Sequence, residues 1–175
     1  MPIESNPPGD IPDNTQFVPY RSTKGHFTVK APEGWSRVNN ASTVSFTDKL
    51  NTISVTWSTA PSAPTVSSVQ ANQVPSLGTT ERAFTLGRVE DCATSCTIPY
   101  STAPIHVTLS HGSAVVLTYQ ENSEPNSVTG RQYRVEVVRF DFFHNGEEAD
   151  LILSGPVGSD NVDPWTLVAE SFAWT

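Results

Sequence analysis

Cys92 and Cys96 are the residues whose spacing points most directly to a chemical role. They are the only two cysteines in the sequence. Three intervening residues allow a tight loop at a strand end, with the Cα atoms within the roughly 4.4–6.8 Å that a disulfide needs. We predict a disulfide, with two inert free thiols as the alternative. A redox-active pair is disfavoured because the spacing is not Cys-x-x-Cys and no helix start is predicted nearby.

Metal-binding and cofactor-binding patterns are missing from the sequence. The four histidines are scattered along the chain: His26, His106, His111 and His144. No second Cys/His pair stands at zinc-ligand spacing, so we interpret each histidine as an ordinary surface residue. Weak transition-metal binding by His144 with Glu147 or Glu148 is the one alternative we keep. We therefore predict no metal and no cofactor.

Catalytic motifs are also missing from the sequence. It contains no glycine-rich phosphate loop, no Gly-x-Ser-x-Gly elbow and no His-Glu-x-x-His pair. Carboxylates are plentiful, but their spacing marks no two of them as a glycosidase pair. We predict no catalytic residue, and an enzyme with an unrecognised site is only a third hypothesis.

The charge of the chain excludes two classes of partner. The formal net charge is −8, and the only lysines are Lys24, Lys30 and Lys49. A negative protein repels phosphate backbones, and no run of Lys and Arg offsets that repulsion. We predict neither nucleic-acid binding nor peripheral binding to an anionic membrane.

The N-terminal segment has the composition of a linker. Residues 1–20 contain five prolines and three acids but no Lys or Arg. Because proline donates no backbone hydrogen bond and favours an extended chain, we predict a flexible tail over residues 1–22 and one folded domain over 23–175. No signal peptide or 18-residue apolar span is visible. We expect an exported or surface-tethered, lipoprotein-like protein whose signal or anchor has been removed; a cytoplasmic protein is the alternative.

Hydrophobic periodicity predicts an antiparallel sheet. Alternation of apolar and polar residues predicts strands, which lie at residues 26–31, 44–47, 53–57, 83–91, 105–109, 131–143 and 149–154. Residues 114–119 are apolar at both alternations and predict a strand covered on both faces. Gly87 coincides with a phase slip and predicts a bulge. Asn145-Gly146 predicts a two-residue hairpin turn.

Two segments have helical periodicity. Apolar residues three and four apart predict a helix between Pro64 and Leu77, which Pro75 should end or kink. Asp163-Pro164 predicts a helix start, with Asp163 as the N-cap. The expected fold class is α+β: a twisted, mainly antiparallel sheet of about six to seven strands between helices, a helix–sheet–helix sandwich.

Several segments resemble a known family. Phe27–Trp35, Val44–Phe46, Ile53–Val55 and Leu151–Pro156 are similar to the PsbP-like proteins, which have the Mog/PsbP-type fold. Gly158–Trp165 and the stretch 126–130 resemble uncharacterised exported proteins of actinobacteria. The resemblance implies the fold and a binding or assembly role, and it transfers no functional residue.

The leading functional hypothesis follows from these observations. It is a non-enzymatic, exported or surface-tethered interaction module that binds an envelope protein and reaches a membrane only through an anchor. The alternative is a protein that binds a small or apolar ligand, which requires an internal cavity.

Overall fold

A computed structural model describes residues 8–175 of the chain, which form twelve strands and three helices. The strands are β1 (Phe17–Ser22), β2 (Phe27–Pro32), β3 (Ser36–Asn39), β4 (Thr43–Asp48), β5 (Asn51–Thr59), β6 (Thr85–Cys92), β7 (Ser95–Ile98), β8 (Ile105–Thr108), β9 (Ala114–Asn122), β10 (Arg134–His144), β11 (Glu147–Pro156) and β12 (Ala173–Trp174). The helices are α1 (Val66–Ser68), α2 (Val74–Thr80) and α3 (Val162–Ser171). A π-helical segment, Val69–Gln73, joins α1 to α2.

Seven strands form one antiparallel sheet in the order β3-β4-β5-β11-β10-β9-β6. Strands β1, β2 and β12 form a second sheet, and β7 pairs with β8 in a third. The predicted hairpin turn is confirmed, because Asn145 and Gly146 both have positive φ, at 48° and 75°. The predicted α+β class with a mainly antiparallel sheet is therefore also confirmed.

The large sheet is covered on both faces, as the apolar run in β9 predicts. Val116 and Phe140 pack into a core beneath α3 and the two smaller sheets. Leu117 and Val137 belong to a second core, together with Val69 of the helical segment. Side chains alternate between faces along a strand, so one apolar strand serves both cores.

The first helical segment departs from the predicted helix over residues 64–77. It runs from Val66 to Thr80, and Pro75 lies in the first turn of α2 and does not end the helix. Proline cannot donate to the carbonyl one turn earlier, so the helix must widen in front of it. The Val74 amide accordingly donates to the Val69 carbonyl, five residues back.

The last helix begins earlier than predicted. Helix α3 starts at Val162, so Asn161 and not Asp163 occupies the N-cap position. Pro164 falls inside the first turn, where its missing amide donor costs nothing. The Asn161 side chain makes no capping hydrogen bond because it points into the protein, where it bonds Ile11 and Asn51.

The predicted disulfide is confirmed between Cys92 and Cys96, with the Cα atoms 5.4 Å apart. It links the end of β6 to the start of β7. The predicted bulge is confirmed as well, since the pairing of β6 with β9 shifts between Leu86 and Val89. A Cβ atom on Gly87 would lie 2.8 Å from the Thr118 carbonyl oxygen, so this approach requires glycine.

The N-terminal region contains structure that the sequence analysis did not predict. Strand β1 falls within the segment expected to be a tail, yet it pairs along its whole length with β2. Ile11 is buried, with 4% of its surface exposed. Residues 1–7 of the predicted tail lie outside the described residues, and the domain boundary stays a prediction. No helix in residues 8–175 is long and apolar enough to cross a membrane.

Candidate functional site

Among the residues considered for metal binding, His144 lies directly opposite Glu147 in the β10–β11 hairpin. Glu147 is hydrogen-bonded to His26, with 2.8 Å between its Oε1 atom and His26 Nδ1. His144 lies near the Trp174 ring, on the opposite face of the sheet from Glu148, which pairs across the hairpin with Phe143. His144 and Glu148 therefore cannot share a metal, and Glu147 already has a partner.

A groove of about 320 Å³ lies between the β1–β2 turn and the edge strand β3. We call it the basic groove. Its cationic side chains are Arg21 from β1, Lys24 from the β1–β2 turn and Arg37 from β3. Its aromatic side chains are Tyr20 and Trp57. The elements that position these residues are non-adjacent in sequence and meet because the small sheet packs on the large one.

Aromatic packing fixes the shape of the groove. The Tyr20 ring meets the Phe46 ring edge to face at a centroid distance of 5.4 Å, and the Arg37 guanidinium lies 5.6 Å above Tyr20. The Tyr20 hydroxyl donates to Asn39 Oδ1 over 3.1 Å. A guanidinium held over an aromatic ring is stabilised by the negative face of the ring and keeps its donors free.

The groove cations lack acidic partners in the described part of the chain. No carboxylate in residues 8–175 lies within 4.0 Å of Arg21, Lys24 or Arg37, whereas Arg82, Arg88 and Arg139 have such neighbours. The whole protein carries a net charge of −8. Three exposed cations in one place, without an acidic neighbour among the described residues, therefore form a local positive field in an acidic protein.

The groove runs beside a strand that is at the edge of the sheet in residues 8–175. Within those residues, strand β3 pairs with β4 on one side only, and all four of its residues are exposed. Val38 exposes 52% of its surface. An exposed edge offers backbone donors and acceptors to an added strand. The basic groove thus places three cations beside backbone groups of an edge strand.

A second cluster of charged side chains lies on the other face of the sheet, beneath the helical segment. We call Asp141, Glu148 and Asp150 the acidic cluster. Arg139 Nε donates to Asp141 Oδ1 over 2.6 Å, and Arg139 Nη2 donates to Asp150 Oδ2 over 2.9 Å. The side chains of Arg139 and Asp141 are 7% and 0% exposed. One buried guanidinium therefore bridges a buried carboxyl group and a largely buried one.

Arg139 bonds only one oxygen of each of the two carboxyl groups. The oxygens Asp141 Oδ2 and Asp150 Oδ1 are buried without a hydrogen-bond partner in residues 8–175. Burial, and then the Asp141 carboxylate, raise the pKa of Asp150 against the opposing effect of Arg139. Two buried carboxyl oxygens without hydrogen-bond partners destabilise the folded state unless a proton or a cation binds between them.

The acidic cluster forms part of the wall of a solvent-connected cavity. This cavity, of about 500 Å³, lies between the loop 60–65 and the helical segment. Asp141 and Glu148 line it from the sheet, and Ser68, Asn72 and Gln73 line it from the helices. The lining also includes the apolar residues Ala60, Pro61, Ala63, Pro64 and Val69, so the wall of this cavity is mixed in polarity.

No protein-family model and no curated protein matches the sequence. Solved structures match the fold. PsbP of the cyanobacterium Synechocystis sp. PCC 6803 is 17% identical, with a TM-score of 0.58, over 97% of this chain and 100% of its own. The Ran-binding protein Mog1p of Saccharomyces cerevisiae is 8% identical, with a TM-score of 0.54, over 92% of this chain and 96% of its own.

These likenesses confirm the predicted PsbP/Mog-type fold. LpqN of Mycobacterium tuberculosis, a protein involved in cell envelope biogenesis, is 12% identical over 93% of this chain and 92% of its own. Its TM-score is 0.46, which is too low to carry an argument. The relation to exported actinobacterial proteins therefore stays a prediction.

Proposed function

We propose that this protein is a non-enzymatic, exported or surface-tethered interaction module that binds an acidic, extended segment of a partner protein in the basic groove. The observation that carries the proposal is the set of three cations that have no acidic partner in residues 8–175, beside a strand that forms the edge of the sheet in those residues. The strand edge supplies backbone hydrogen bonds to the segment. Arg21, Lys24 and Arg37 supply its preference for carboxylates.

The fold supports a protein-binding role. Mog1p, whose fold this chain shares, is a Ran-binding protein. In this protein the proposed partner is an envelope protein, and its acidic segment adds to β3 without any change in the sheet. Because β3 has only four residues, the added strand is short and the charged contacts provide much of the affinity.

We expect the double variant Lys24→Glu/Arg37→Glu to bind a fluorescent Glu/Asp-rich decapeptide about 10–100-fold more weakly than the wild type, since each reversal replaces an attraction with a repulsion. Fluorescence anisotropy at low salt measures the two dissociation constants. Raising the salt concentration should weaken wild-type binding and leave the variant nearly unaffected.

Arg88→Glu is the matched control. Arg88 is exposed on β6, at the opposite edge of the same sheet, so its reversal changes the net charge without touching the groove. Binding should stay within about twofold of wild type, as expected for a remote surface charge at moderate salt. Equal losses in the groove variant and in Arg88→Glu, or no binding by the wild type, would refute the proposal.

An extracytoplasmic location is part of the same proposal. The Cys92–Cys96 disulfide supports it, because disulfides persist in oxidising compartments and are rare in the cytosol. We expect protein trapped from its native cells with a maleimide to be unlabelled until a reductant is added, after which both cysteines react. Labelling of both cysteines before reduction would contradict this location, and mass spectrometry of the peptide with both residues distinguishes the outcomes.

A further inference from the structure

The acidic cluster brings three carboxylates together from two paired strands. Asp141 on β10 lies opposite Asp150 on β11, and Glu148 is two residues before Asp150 on the same face. One carboxylate oxygen from each of the three lies within 4.8 Å of the others. Oxygens that share one Ca²⁺ ion at about 2.3–2.6 Å are at most about 5 Å apart, so this spacing fits a single ion.

The acids of the cluster outnumber their cationic neighbours in residues 8–175. Three carboxyl groups lie together, and the one cation within 4.0 Å of them is Arg139, which pairs with Asp141 and Asp150 but not with Glu148. Asp141 is 99% buried, since only 1% of its surface is exposed, and its Oδ2 atom has no partner in the described chain. A buried carboxylate oxygen that has no partner and lies among other acids destabilises the protein, and a bound cation would remove that cost.

We propose that Asp141, Glu148 and Asp150 bind one hard divalent cation of the Ca²⁺ or Mg²⁺ class. All three ligands are carboxylate oxygens, which favours these ions over zinc or copper, whose preferred ligands include imidazole and thiolate. The ion offsets the negative charge that Arg139 leaves without a partner. Arg139 continues to hold the other oxygen of Asp141 and of Asp150, and so orients both ligands.

The cavity beneath the helical segment gives the ion a route and further ligands. Asp141 and Glu148 line this cavity, as do Ser68, Asn72 and Gln73, whose side chains carry oxygen atoms. Asn72 and Gln73 lie in the π-helical segment, a type of helical irregularity that is frequent at functional sites. Water and these oxygens can complete the coordination, since Ca²⁺ takes about six to eight oxygen ligands.

The test compares thermal unfolding of the full chain in chelator with unfolding in 10 mM CaCl₂ or MgCl₂, against NaCl of equal ionic strength. For a submillimolar dissociation constant we expect the wild-type midpoint to rise by about 5 °C with at least one of the two ions. Asp150→Asn and Glu148→Gln should each lose most of that rise. Glu147→Gln is the matched control and should keep it, because Glu147 faces the other side of the sheet and pairs with His26.

Asp150→Asn keeps the shape of the side chain and removes a like charge, so this variant should fold and should be at least as stable as the wild type in chelator. A rise that is absent from the wild type with both ions overturns the proposal. A rise that persists in Asp150→Asn and Glu148→Gln overturns it as well. Neither result bears on peptide binding in the basic groove, which lies on the opposite face of the large sheet.

Discussion

Replacing Arg139 with methionine should lower the free energy of unfolding by about 3–5 kcal/mol in the presence of chelator. We expect no other substitution of a buried charged residue to have a larger effect. Arg139 is buried and its guanidinium bonds both Asp141 and Asp150. Methionine preserves much of the apolar volume but leaves two buried carboxyl groups without their counter-charge. Equilibrium urea unfolding measures the change, and the slope shows whether unfolding stays two-state.

A double variant separates the lost charge from the lost packing. Arg139→Met/Asp150→Asn removes one of the two carboxylates that the guanidinium served, so it should recover part of the stability that Arg139→Met loses. The control Arg88→Met removes an exposed cation and should change stability by no more than about 0.5 kcal/mol. A loss below about 1 kcal/mol in Arg139→Met would mean that the buried bridge contributes little, against the cost expected for unpaired buried acids.

The parts of the fold that the sequence predicted are those with local signals. The apolar run in β9 shows that both faces of the sheet are covered, and Asn145-Gly146 marks a hairpin because both turn positions need positive φ. Cys92 and Cys96 are close in sequence, so the loop between them alone can hold the bridge. In each case a stretch of about ten residues is enough for the prediction, because residue propensity and hydrophobic periodicity determine local structure over that length.

Part of the acidic cluster could have been predicted from the sequence by the same reasoning. A two-residue turn fixes the register of a hairpin, so pairing of His144 with Glu147 implies pairing of Asp141 with Asp150 three steps further on. Arg139 and Asp141 also break the apolar alternation of β10 on one face. Two polar residues on an otherwise apolar strand face, opposite another acid, predict a buried ionic cluster, a signal that the sequence analysis did not use.

The basic groove could not be predicted from sequence in the same way. Its cations come from β1, from the β1–β2 turn and from β3, and Trp57 comes from β5. They meet only because the small sheet packs against the large one, and no local pattern specifies that packing. The single lysines and arginines are too far apart in sequence to form a basic run, which is why the charge argument excluded nucleic acids and anionic membranes but did not identify a local positive site.

The N-terminal segment shows how composition can mislead about packing. Its prolines and acids are typical of a linker, yet the Ile11 amide donates to Asn161 Oδ1 over 2.9 Å, and Asn161 Nδ2 donates to the Gly9 carbonyl over 3.1 Å. Asn161 Nδ2 also donates to Asn51 Oδ1. One fully buried asparagine thus ties the segment to the start of β5 and to the start of α3, using bonds that span about 150 residues.

Asn161→Ala should therefore destabilise the protein by about 2–4 kcal/mol, because the Ile11 amide and the Asn51 side-chain oxygen lose their bonds in a buried place. The variant should also release the segment 8–16 from the domain, so that limited proteolysis cuts there faster than in the wild type under native conditions. Urea unfolding and the masses of the first fragments measure the two effects on one preparation.

Asn40→Ala is the control, since Asn40 is exposed in the β3–β4 turn and its loss should change stability by no more than about 0.5 kcal/mol. If Asn161→Ala unfolds like the wild type but the segment is cut faster, the segment docks without stabilising the domain, and the boundary predicted near residue 22 gains support. If both stability and protection fall together, the segment is part of the folded unit, because a detachable tail cannot carry several kilocalories of the domain's stability.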